Sequence, residues 1–160
     1  EDGRREPAGH ALMIAEGLSV ALVAWCLSAL ALAFGAALGL RGLLDPRWAQ
    51  KLVGLQPDEQ GGGFAEFRAT YGGVFLGLHA VALFFALMWI VFGGALVGVM
   101  AAGACAAIAA AWAGAAFGRV LSMLRDGAYT RFNLYSACLE ALVALLIASP
   151  WLVWSLPASA

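Results

Sequence analysis

Charged residues are scarce in this chain: Asp, Glu, Lys and Arg make up 12% of its 160 residues, against 63% hydrophobic residues. A soluble domain carries about 25% charged residues and needs them to cover its core with water-compatible surface. That shortage excludes a water-facing shell, and the mean hydropathy of +0.87 points to a membrane protein instead. The formal net charge of -1 leaves no basic surface, which excludes nucleic acid as the partner.

Cysteine and histidine are equally sparse. Cys26, Cys105 and Cys138 all lie inside apolar runs, are odd in number and form no CxxC spacing or Cys/His cluster. They read as small packing residues, not as a disulfide or metal framework. His10 sits at or outside the end of the first apolar run, so His79 has no second intramembrane histidine with which to hold a haem. No ExxH or HxxxH pair offers a metal site. Ser19, Ser28, Ser122 and Ser136 lack a GxSxG context, and the glycines at 61–63 are not followed by Lys-Ser/Thr. No catalytic residue, metal or cofactor is therefore expected. The chain opens on Glu1 and not Met, which reads as a processed or truncated start, and no short apolar segment with a small-residue cleavage site suggests a signal peptide.

What the chain does have is four long apolar stretches, at about 11–40, 67–92, 95–124 and 132–156. A bilayer span needs roughly 20 residues at about 1.5 Å each, and all four suffice. Gly93-Gly94 and residues 125–130 are the short breaks between the last three, and short connections make neighbouring helices antiparallel. The expected fold is an all-α integral membrane protein, a single domain over 1–160. It is an up-down four-transmembrane-helix bundle with a short amphipathic interfacial helix in the first loop. That short helix is placed at about 46–55, where Asp45-Pro46 is a helix-start signal. Trp48, Leu52 and Leu55 lie on one side of it, Arg47 and Lys51 on another, as in a helix lying on a membrane surface. QPDEQGGG after it reads as a flexible hinge. Glu16, near the far end of the first span, reads as a snorkelling interfacial residue.

The basic residues give the orientation. Arg41, Arg47, Lys51, Arg68, Arg119, Arg125 and Arg131 fall on the side of loops one and three, against Arg4 and Arg5 on the other. The positive-inside rule puts those loops in the cytoplasm and both termini outside.

The segment EFRATYGG at 66–73 opens the second span with two opposite charges. At 100° per residue Glu66 and Arg68 lie 200° apart and cannot pair with each other. Glu66 lines up with Thr70, Gly73 and Gly77, and Arg68 with Gly72, Phe75 and His79. The small residues Thr70, Gly72, Gly73 and Gly77 suit close helix packing, as does the alanine-rich third span. Arg119, Ser122 and Asp126 form one stripe on the third span; Asn133, Ser136 and Glu140 form another on the fourth. Arg119 lies about 9 Å from Arg125 along its helix and Glu140 about 13 Å from Arg131, depths that allow an Arg119–Glu140 ion pair. On the same reasoning Arg68 is expected to reach Asp126, and Glu66 to reach Arg125 or Arg131. Glu66, Arg68, Arg119, Asp126 and Glu140, with His79, thus form either a structural charge network or a candidate pocket. The near balance of acids and bases favours the structural network. His79 is expected to be a hydrogen-bonded packing residue about 16 Å past Arg68.

EFRATYGG, GRVLSMLRDG, the mid-helix Glu140 and DPRWAQKLVGLQPDE together resemble a bacterial four-helix membrane protein family known only as domain of unknown function 4345. The resemblance spans about residues 15–156. It implies a bacterial inner-membrane protein and makes Glu66, Arg68, Tyr71, Gly72, Gly73, Arg119, Asp126, Gly127 and Glu140 the motif positions. It implies no activity. The expected function is a non-catalytic accessory subunit packed against other membrane subunits in a larger respiratory or photosynthetic complex. The alternatives are a small transporter or membrane enzyme handling a lipid-like or weakly acidic molecule in an Arg/Glu-lined pocket, and a homo-oligomer built on the Glu66–Thr70–Gly73–Gly77 groove.

Overall fold

The computed structural model describes the backbone of residues 6–54 and 62–155, and the side chains of 18, 20–54 and 62–153. The QPDEQGGG hinge, apart from Gly62 and Gly63, and the side chains of His10 and Glu16 lie outside the described residues. Every described element is helical: α1 (Glu6–Leu44), α2 (Pro46–Val53), α3 (Gly62–Phe92), α4 (Ala95–Arg125) and α5 (Arg131–Ser155). Of these, α1, α3, α4 and α5 are long and apolar enough to cross a membrane. α1 runs further at both ends than the apolar stretch that marks it.

Burial in this chain runs opposite to that of a water-soluble protein. The interior is built mainly from small residues, among them Ala31, Ala82, Ala86, Ala101 and Cys105, while Leu30, Phe92 and Leu96 stand outside at 69%, 73% and 75% exposure. Lipid tails are as apolar as leucine, so large aliphatic side chains gain nothing by facing inward. Close backbone approach through small residues holds the helices together instead. Four helices compatible with a multi-pass membrane protein are thus seen both in their length and in what they bury.

The junctions follow local chemistry. Asp45 caps α2 by accepting from the Trp48 N–H at 3.1 Å, Pro46 takes the first helical position, and Gly54 ends the helix at φ 71°. Arg41 in the last turn of α1 lies over the Trp48 ring, 4.3 Å from its centroid, and holds α2 against that end. Gly93 and Gly94 have φ of 67° and 93°, so the two-residue turn requires glycine at both positions. In α5, Pro150 has no N–H to give the carbonyl four residues back. The Ser149 hydroxyl, 2.7 Å from that Leu146 carbonyl and 2.9 Å from the Ala24 carbonyl of α1, takes its place.

α1 and α3 meet nearly backbone to backbone. A Cβ on Gly42 would stand 2.7 Å from the Tyr71 carbonyl oxygen, and one on Gly72 would stand 2.7 Å from the Leu43 backbone. On Gly39 it would strike the Leu76 backbone, and on Gly35 the His79 ring. Opposite this contact α3 is a π-helix from Phe67 to Val74. Such a segment takes more residues per turn than an α-helix, so the constant 100° step fails across it. Arg68 is accordingly exposed while His79 is buried, and the stripe expected to join them does not exist. Among the described residues, Gly72 alone of the four expected packing residues meets another helix; Thr70, Gly73 and Gly77 are exposed, and no described residue lies within 4 Å of a Cβ built on Gly77.

Candidate functional site

Three of the expected charges are not part of any interior network. Arg68 donates to the Leu43 carbonyl at the end of α1, Glu66 accepts from the Thr70 hydroxyl, and Asp126 is exposed where α4 ends. The expected Arg68–Asp126 contact and the reach of Glu66 to Arg125 or Arg131 are therefore corrected. The last carbonyls of a helix have no intrahelical donor, and Arg68, within the π-helix, supplies one to α1. Thr70 is one turn from Glu66 and serves it at no cost in side-chain reach.

Arg119 and Glu140 do come together. The Arg119 Nε donates to Glu140 Oε1 at 2.7 Å, making the single ion pair among the described residues. Arg119 Nη1 also donates to Asn133 Oδ1 at 3.3 Å, and Asn133 Nδ2 donates to the Ala128 carbonyl at 2.9 Å. Since Thr130 caps the Asn133 N–H at 3.1 Å, the α4–α5 loop fixes the amide that fixes the guanidinium. The Phe132 ring lies 5.7 Å from the Arg119 guanidinium carbon. Glu140 is 8% exposed, and its second oxygen, Oε2, is buried with no hydrogen-bond partner.

His79 is fully engaged. A tryptophan N–H can only donate, so the 2.9 Å contact from Trp112 Nε1 assigns the lone pair to His79 Nε2. The ring's proton then sits on Nδ1, which donates to the Phe75 carbonyl at 2.7 Å. With both nitrogens in use, His79 joins α3 to α4 and has no nitrogen left for a metal. Trp112→Phe is expected to shift the imidazole ¹⁵N resonances of His79 away from this tautomer. It should also destabilise the protein by about 1–3 kcal/mol, the cost of an unsatisfied buried group. Unchanged resonances in the variant would refute the assignment.

These side chains border a cavity of about 360 Å³ between α2 and the long helices. Trp48 and Leu52 of α2 wall it on one side, Phe75 and Trp112 on another, and Arg119 with Glu140 form its polar end. A second space of about 330 Å³, lined by Gly118, Ser122 and Asn133, borders the same pair. The volume falls within the range of small-molecule sites, which are mostly apolar with a few placed polar groups.

No family model, curated protein or solved structure matches the chain.

The geometry alone therefore describes the site. Among the described residues no group of three His, Cys, Asp or Glu side chains could hold a metal ion. The part that sequence reasoning missed is the wall supplied by α2, together with Gly35, Gly39 and Gly42 of α1. The GxxxG spacing of Gly35 and Gly39 was the available signal for that packing face.

Proposed function

We propose that this chain is a multi-pass membrane protein whose α2-walled cavity binds a lipid-like amphiphile. The single observation carrying this reading is the cavity itself: mostly apolar in its lining and bordered by a partly buried ion pair with an unsatisfied carboxylate oxygen. Contact pairs support an up-down bundle around it, since Gly35 meets His79, Gly39 meets Leu76 and Gly42 meets Tyr71, ascending on α1 as they descend on α3. Trp48 and Arg41 suit an α2 that lies at the headgroup level. The excess of Arg and Lys at this end argues for the cytoplasmic side, with both termini opposite. The likeness of EFRATYGG and GRVLSMLRDG to the bacterial four-helix family supports an inner-membrane location.

A second reading, an accessory subunit or homo-oligomer, is favoured by one observation. Glu66, Thr70, Gly73 and Gly77 are all exposed, leaving a polar, small-residue part of α3 uncovered by the described residues. One experiment separates the two. The protein, purified in mild detergent from its native membrane, is weighed intact by native mass spectrometry beside the variant Ala111→Leu, which fills the cavity wall. Amphiphile binding predicts one chain carrying a small-molecule adduct that the variant loses. A bare chain, or an adduct indifferent to Ala111→Leu, refutes it, and a co-purifying polypeptide supports the subunit reading.

A further inference from the structure

The polar end of the cavity also limits which headgroup it accepts, an inference that rests on the amphiphile reading. Arg119 and Glu140 cancel in charge, and their bond uses Glu140 Oε1 alone. Glu140 Oε2 has no partner although Glu140 is 8% exposed and lines the cavity. An ionised carboxylate only accepts hydrogen bonds, so the missing partner is a donor. Leaving a buried acceptor unsatisfied is costly, and the terminal torsion of glutamate is soft, so a small turn of the carboxylate presents Oε2 to a donor in the cavity. Arg119 carries five N–H groups, more than its two bonds use, and so offers a neighbouring donor.

An anionic head would meet the unsatisfied carboxylate oxygen, and a cationic head would crowd a guanidinium whose counter-charge is already committed. In a poorly solvated site either charge would go uncompensated. A hydroxyl donates and accepts from one atom and adds no charge. We infer that the cavity selects an uncharged, hydroxyl-headed amphiphile, its hydroxyl donating to Glu140 Oε2 and accepting from Arg119, its apolar body lying between Phe75, Trp112 and the Trp48 side of α2. This excludes the weakly acidic molecule as the preferred occupant.

The test uses the full chain in lipid nanodiscs with three probes that share one alkyl chain: dodecanol, dodecanoate and dodecylamine. Native mass spectrometry reads the one-to-one adduct. Dodecanol should be retained about tenfold more strongly than either charged probe, a hydrogen bond to a charged group being the difference. Glu140→Gln removes the counter-charge of Arg119 and should invert the order in favour of dodecanoate, which a merely structural Glu140 would not do. Dodecanoate or dodecylamine binding the wild type as well as dodecanol overturns the headgroup assignment and leaves the amphiphile reading standing. If no probe is retained and Ala111→Leu changes nothing, both fall. The wild-type order decides alone should Glu140→Gln fail to fold.

Discussion

Gly39→Val should lower the thermal midpoint of the solubilised protein more than any other single change at the α1–α3 contact. The obstacle is main chain: a Cβ on Gly39 runs into the Leu76 backbone, which cannot rotate away as a side chain can. Overpacking a close contact typically costs about 1–3 kcal/mol, and a rigid obstacle puts Gly39→Val at the upper end. Gly35→Ala meets the His79 side chain first, yet that ring is held by Phe75 and Trp112, so an intermediate loss is expected. Gly77→Ala is the control, with open space around it. Replacing a helical glycine there should be neutral or stabilise by up to about 1 kcal/mol. Intrinsic tryptophan fluorescence during heating ranks the three variants. Gly39→Val melting with the wild type, or Gly77→Ala melting below it, would show that α1 and α3 are not seated at this contact.

These glycines also show what the sequence disclosed and what it hid. Long apolar runs, a two-glycine turn and Asp45-Pro46 are local signals, and each lies where the corresponding helix, turn or cap lies. The Arg119–Glu140 approach follows from helical rise alone, because α4 and α5 are regular and joined by a short loop. Face arithmetic failed for Arg68 because it assumed a constant angle per residue through Phe67–Val74, where the π-helix changes that angle, while Glu66, Thr70, Gly73 and Gly77 do share an exposed side. Glu66 then found a partner one turn away in Thr70, and Arg68 found the Leu43 carbonyl at the end of α1, in place of the expected charges. The cavity was illegible for a different reason. It depends on where a helix of eight residues folds back: the periodicity of α2 puts Trp48 and Leu52 on one side but does not encode which helices that side meets.

The ion pair itself should behave as a coupled unit. Arg119→Leu leaves Glu140 without its counter-ion in a place where the residue is 8% exposed. Breaking a buried pair by removing one partner costs about 3–5 kcal/mol. Here about 3 is expected, because the Arg119 side chain keeps 31% of its exposure and the pair is only partly shielded from solvent. The double variant Arg119→Leu/Glu140→Leu removes both charges and the unsatisfied Oε2 together. Replacing a buried pair by apolar residues is often neutral or stabilising, so the double variant should recover most of the loss. Unfolding each protein by titrating a denaturing detergent gives the four stabilities of a double-mutant cycle, with a coupling energy of about 2 kcal/mol expected. Additive losses would mean that Arg119 and Glu140 act separately, Arg119 through Asn133 and Phe132. Recovery of stability without recovery of dodecanol binding would separate the two roles of the pair: the double variant would hold α4 against α5 while presenting no polar end to the cavity.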